Sequence, residues 1–93
     1  MSQTVEIVKT PNVLHGKPRV KGTRIGVFML GESIREGDQT IEELLAGYPD
    51  LTRDGIEAAL SYYDDHPDEM ETLRARREAH YRAVQRNSRA PDA

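Results

Sequence analysis

One apolar stripe occurs twice in this chain, and the repetition restricts the fold more than any other feature. Ile41, Leu44, Leu45 and Tyr48 stand at i, i+3, i+4 and i+7, and Ile56, Ala59, Leu60 and Tyr63 repeat that spacing. A period of 3.6 residues puts each set on one face, so each segment is an amphipathic helix that must bury its stripe against a neighbour. The ends are marked as well. Thr40 followed by Glu43 forms a capping box, in which each side chain satisfies a free N–H of the other. Gly47-Tyr48-Pro49 stops that helix, because proline drives the residue before it out of the α region. Thr52 then caps the next one. The connection, Gly47 to Leu51, is short enough to hold the two helices as a pair.

Around this pair the pattern changes. Val27, Leu30 and Ile34 predict an earlier helix that stops at Gly37-Asp38. Before it, Val5, Ile7 and Val8 alternate with or follow Glu6, while Pro11, Asn12, Gly16, Pro18 and Gly22 mark turns, so the N-terminus reads as a hairpin-like β arm. After the pair, Pro67 suits the first position of a fourth helix, with Asp68 and Glu69 at its positive end and arginines further along. Its stripe of Met70, Leu73, Tyr81 and Val84 is interrupted by Arg77, so it needs a partner surface. The expected fold is mainly α: a short N-terminal β arm, a three-helix helix-turn-helix core and a C-terminal helix. The arm and core occupy 1–66, the charged helix 67–86 and a disordered tail 87–93.

With 93 residues and a 37% hydrophobic share, the chain makes a single thin-cored domain; domains this short bury only about 60 to 65% of their unfolded surface. Zero Cys excludes disulfides, cysteine-ligated metal and thiol catalysis. No apolar leader and no apolar run of spanning length occur, so the expectation is a cytoplasmic protein without a membrane segment. The net charge of −3 conceals three blocks. Residues 1–31 set Lys9, Lys17, Arg19, Lys21 and Arg24 against Glu6. Residues 32–71 hold thirteen acids against Arg35 and Arg53, and residues 72–93 hold six arginines against Glu78 and Asp92. Such blocks pair within the chain or a dimer, or face separate partners.

The paired helices with their short connection suggest DNA contact. The candidate residues are Thr52 and Arg53 at the start of the second helix, together with Lys17, Arg19, Lys21 and Arg24 on the arm. Asp54 and Glu57 oppose it, since DNA affinity rests largely on neutralising phosphate. The segment Gly16 to Thr23, GKPRVKGT, departs from the nucleotide-binding GxxxxGK[ST] pattern, so its glycines are read as turn residues. His66 and His80 would lie roughly 21 Å apart on one helix, and no metal or other cofactor is expected. No nucleophile-base or paired-carboxylate arrangement stands out, so the chain is not expected to be an enzyme. The remaining constellation is the fourth helix, where arginines fork onto carboxylates and Tyr81 offers a rigid anchor. Met70, Leu73, Arg74, Arg77, Tyr81 and Val84 are the candidate partner-binding residues.

The ordered set GKPRVKGTRIGV (Gly16 to Val27), YPDLT (Tyr48 to Thr52) and IEAALSYY (Ile56 to Tyr63) resembles the domain of unknown function 433 family over roughly Ile7 to Tyr63. Gly26 departs from the proline often found there in the family. The resemblance implies a homeodomain-like fold behind a β arm. It also implies an antitoxin of a type II toxin–antitoxin pair, which binds and neutralises a PIN-like ribonuclease toxin and represses its own operon through operator DNA. The alternative is a stand-alone helix-turn-helix transcriptional regulator. An exposed arm edge and a thin core add the expectation of a homodimer.

Overall fold

The computed structural model describes residues 6–88. Two short strands, β1 (Ile7–Val8) and β2 (Arg19–Val20), pair antiparallel with Ile7 opposite Val20 and Val8 opposite Arg19. Four helices come after them: α1 (Val27–Gly31), continued by a π-helical turn at Glu32–Glu36, then α2 (Ile41–Gly47), α3 (Arg53–Asp65) and α4 (Pro67–Ser88). The chain is therefore mainly helical behind a β hairpin. Among the described residues no helix is long and apolar enough to cross a membrane.

The local signals act where the sequence puts them. Thr40 accepts the Glu43 N–H at 3.1 Å while the Glu43 carboxylate accepts the Thr40 N–H at 2.9 Å, closing the capping box of α2. Thr52 accepts the Gly55 N–H at 3.0 Å and starts α3. Gly16 and Gly22 have φ of +78° and +85°, the left-handed region where a side chain costs energy. Leu14 and His15 also lie there, at φ 52° and 55°. Nothing in their sequence signals this, since non-glycine residues visit that region at a cost of order 1–2 kcal/mol each.

The core gathers around α3. Ile56, Ala59, Leu60 and Tyr63 pack with Val27 and Leu30 of α1, Leu44 of α2, and Val20 of the hairpin. The β segment is thus no free arm: Val20 is 4% exposed and Ile7 packs on the same core. Burying side chains of this size supplies about 1.5–3 kcal/mol each, so the hairpin adds a layer to a core that three short helices would leave open. Gly31 is required where α1 crosses α3, because a Cβ there would overlap the Tyr63 ring.

Three expectations are corrected. The first helix does not run evenly to Gly37, since a π-helical turn replaces its second half. The helix at 67–86 is no separate unit, because Met70 and Leu73 are 2% and 7% exposed and complete the main core. The backbone of α4 also stays helical through 88, so Asn87 and Ser88 leave the expected tail. Val5, read as the start of a strand, and the tail residues 89–93 lie outside the described residues.

Candidate interaction surfaces

The GKP and GTRI segments lie side by side. Val27 N–H donates to the Pro18 carbonyl at 3.0 Å, Val20 N–H donates to the Ile25 carbonyl at 3.1 Å, and Arg19 sits opposite Gly26 between them. Tyr48, from the YPDLT connection, borders the same face. Three motifs separated in sequence therefore form one surface.

Its basic residues have different duties. Arg19 donates to the Thr23 carbonyl at 2.8 Å and to Thr10 Oγ1 at 3.0 Å, bracing two turns. Its Nε is buried and has no hydrogen-bond partner among the described residues. Lys21 pairs with Glu6 at 3.1 Å. Arg53 pairs with Glu42, which raises the guanidinium's pKa and holds the Glu42 carboxyl below the usual range. Thr52 spends its hydroxyl on the α3 cap. Of the six residues read as DNA contacts, Lys17 and Arg24 are the exposed cations with no ion pair among the described residues.

A second surface is built on α4. At its base, Lys9 reaches Glu69 at 2.7 Å, and Tyr62 donates to the same carboxylate at 2.7 Å. Burial pushes Glu69 upward, but these two hydrogen bonds outweigh it and leave the carboxyl below its ordinary range. One turn further, Arg74 donates to Glu32 at 2.8 Å and to the Tyr63 hydroxyl at 3.0 Å. Tyr63 in turn donates to Glu32 at 2.5 Å, and Arg77 pairs with the other Glu32 oxygen at 3.2 Å while lying 5.1 Å over the Phe28 ring. The Arg74 hydrogen bond is the main cause that holds the Glu32 carboxyl low against the opposing effect of burial; Tyr63 is pushed up, by burial first and then by Glu32. Glu32 is 13% exposed, and the π-helical turn carries it to this junction.

The six residues expected to meet a partner accordingly divide three ways. Met70 and Leu73 are core and closed to a partner, which corrects the expectation for both. Arg74 and Arg77 face Glu32. Tyr81 and Val84 are 63% and 46% exposed. Every residue from Ala75 to Gln85 is exposed, so the outer half of α4 leaves the globule as a lone helix. The radius of gyration, 15.4 Å, exceeds the about 12 Å of a compact chain this long.

Sequence reasoning gave Glu32 no role beyond the acidic block. A faint signal existed, an acid between Leu30 and Ile34 on an apolar segment, but its partners lie 31 and 42 residues away.

The family model described as "Protein of unknown function (DUF433)" matches residues 7–63. The chain belongs to the DUF433 family. A crystal structure of a DUF433 member from Anabaena variabilis is similar, with a TM-score of 0.67 and 38% identity over 74% of this chain and 67% of that one. An uncharacterized protein, y4eO, from Sinorhizobium fredii is 32% identical over 71 residues; the match covers 76% of this chain and 29% of that protein's length. The DUF433 segment contains the motif face, Glu32 and Tyr63, whereas α4 lies beyond it. In this member, then, Arg74 and Arg77 tie a helix outside the family segment onto a carboxylate within it.

Proposed function

We propose that this DUF433 protein is the antitoxin of a type II pair, which neutralises a PIN-like ribonuclease toxin by docking the outer half of α4 on it. The observation that carries this reading is the exposed pair Tyr81 and Val84 on a helix that leaves the core after Leu73. A lone helix of fewer than about 12–15 residues is marginal in water, and a partner groove that receives Tyr81 and Val84 would stabilise it. Arg76 on the same exposed half of the helix, with no ion pair among the described residues, suits an acidic partner, where arginine forks onto carboxylates. The toxin class rests on the family resemblance, and the docking residues rest on exposure.

Co-expression with a PIN-like toxin encoded beside the gene tests it. Growth arrested by the toxin should be restored by the full chain and not by Tyr81→Ala/Val84→Asp, whose two sites are solvent-exposed and leave the core intact. Equal rescue by the variant, or no rescue by the full chain, would overturn the proposal. Operator binding is the second reading, supported by Lys17 and Arg24. Two phosphate contacts predict that log affinity falls with log salt at a slope near −2, and a flat dependence would remove it.

A further inference from the structure

The motif face contains a groove that neither the docking of α4 nor the packing of the core uses. Two hollows, about 390 and 530 Å³, share Arg24, Ile25 and Tyr48 and run together across the face. The floor of the smaller is apolar, made by Leu14, Ile25, Phe28 and Met29, all half-buried and able to take an apolar group. Gly26 borders it, where a Cβ would meet Leu14 Cδ1 at 3.5 Å, an ordinary contact. Leu14 and His15 reach the groove from the left-handed turn, so the chain holds two non-glycine residues at positive φ to line it. Strain of that kind persists only where surrounding structure imposes it, and it concentrates at sites that bind. Lys17 and Arg24 stand at the rim, exposed and with no ion pair among the described residues, while the neighbouring cations Arg19 and Lys21 are engaged.

We propose that this groove binds a short acidic peptide segment, seating one aliphatic or aromatic side chain on the floor and a flanking carboxylate on each of Lys17 and Arg24. Charge complementarity at the smaller hollow, which holds Lys17 and Arg24 and no acid, argues for the acids and its apolar floor for the anchor, while Asp50 confines the carboxylates to that end of the groove. The volume suits one or two side chains, at the lower end of the range for ligand pockets. Duplex DNA would leave the floor unused and would find, among the described residues of this face, Lys17 and Arg24 as the cations without an ion pair. None of its lining residues lies on α4, although Arg77 reaches over the Phe28 ring, and its test uses variants and readouts separate from those of the toxin-docking reading.

The test is an amide chemical-shift titration of the full isotopically labelled chain with acetyl-Glu-Asp-Leu-Phe-Asp-Glu-amide, a lysine-substituted counterpart, and a DNA duplex of about 20 base pairs. The acidic peptide should move the amides of Leu14, Lys17, Ile25, Gly26 and Tyr48, and the lysine peptide should not. Lys17→Ala/Arg24→Ala should weaken the acidic peptide roughly three- to tenfold, the range for two exposed ion pairs, with the rest of the spectrum unchanged. Equal shifts with both peptides, no shifts at these residues, or unaltered affinity in the double variant would overturn the proposal. So would tighter binding of the duplex at the same amides.

Discussion

Glu32→Gln is the substitution that most directly probes how α4 is held. The carboxylate is 13% exposed, accepts from Arg74 and Tyr63, and forms an ion pair with Arg77. Gln keeps the shape and one acceptor oxygen but removes the charge, so the interactions with Arg74 and Arg77 fall from charge-assisted pairs to ordinary hydrogen bonds. Charge-assisted bonds contribute about 1.5–3 kcal/mol each, and breaking a fully buried pair costs about 3–5. Arg74 is a quarter exposed and keeps Glu71 at 2.6 Å, so it is not orphaned. The expected loss is therefore near the lower figures, about 2–3 kcal/mol. For a domain this size each kcal/mol moves Tm by about 4–8 °C, giving a drop of roughly 10–20 °C in a thermal melt followed by circular dichroism at pH 7. Arg74→Met and the double variant complete the cycle, and the coupling should account for most of the single-variant loss. A Tm within about 2 °C of the parent, or two losses that simply add, would refute the idea that Glu32 fastens α4.

The other predictions rest on the same contacts. Because Glu32 has a folded-state pKa below its ordinary value, its contribution is complete above about pH 4.5 and is lost as pH falls through the lower folded value; the Tm gap between parent and Glu32→Gln should shrink as pH falls below about 4.5. A gap that is constant over that range would count against the pairing. Gly31→Ala improves helix propensity by about 1 kcal/mol yet should lower stability, since its Cβ overlaps the buried Tyr63 ring; denaturant unfolding that shows a gain would mean α1 and α3 are further apart. Gly26→Pro should raise stability by about 0.4–1 kcal/mol, because φ is −81° and the Gly26 N–H has no hydrogen-bond acceptor among the described residues. A fall in the urea midpoint would show that the ring does not fit beside Leu14.

The parts of this fold that were legible share a physical origin. The stripes and caps of α2 and α3 are set within a single helical turn or two, so Thr40, Glu43 and Thr52 could be read directly. Pro67 was legible for the same reason. The illegible parts depend on distant residues. Whether a cation is free is decided by a carboxylate elsewhere: Arg53 meets Glu42 and Lys21 meets Glu6, eleven and fifteen residues away. Met70 and Leu73 looked like docking residues because the stripe of α4 weakens after them, and only the packing of α3 shows that the helix starts inside the core. Leu14 and His15 have no local pattern that predicts positive φ. At the candidate surfaces the sequence named segments, while how each residue within them is engaged was hidden, because that depends on residues far along the chain.

The lone outer half of α4 also sets how this molecule comes apart. Opening there exposes almost no apolar surface, so it separates from global unfolding and should proceed from the C-terminal end inward. The first strong ties it meets are those of Arg77 and Arg74 to Glu32. Trypsin, which cuts after arginine, should therefore cleave after Arg82 long before it reaches the core. The surviving fragment is a trimmed globule that still melts cooperatively and retains the motif face, but has shed Val84. A brief exposure to protease would separate two forms of the molecule, one with the full outer helix and one whose helix ends at Arg82.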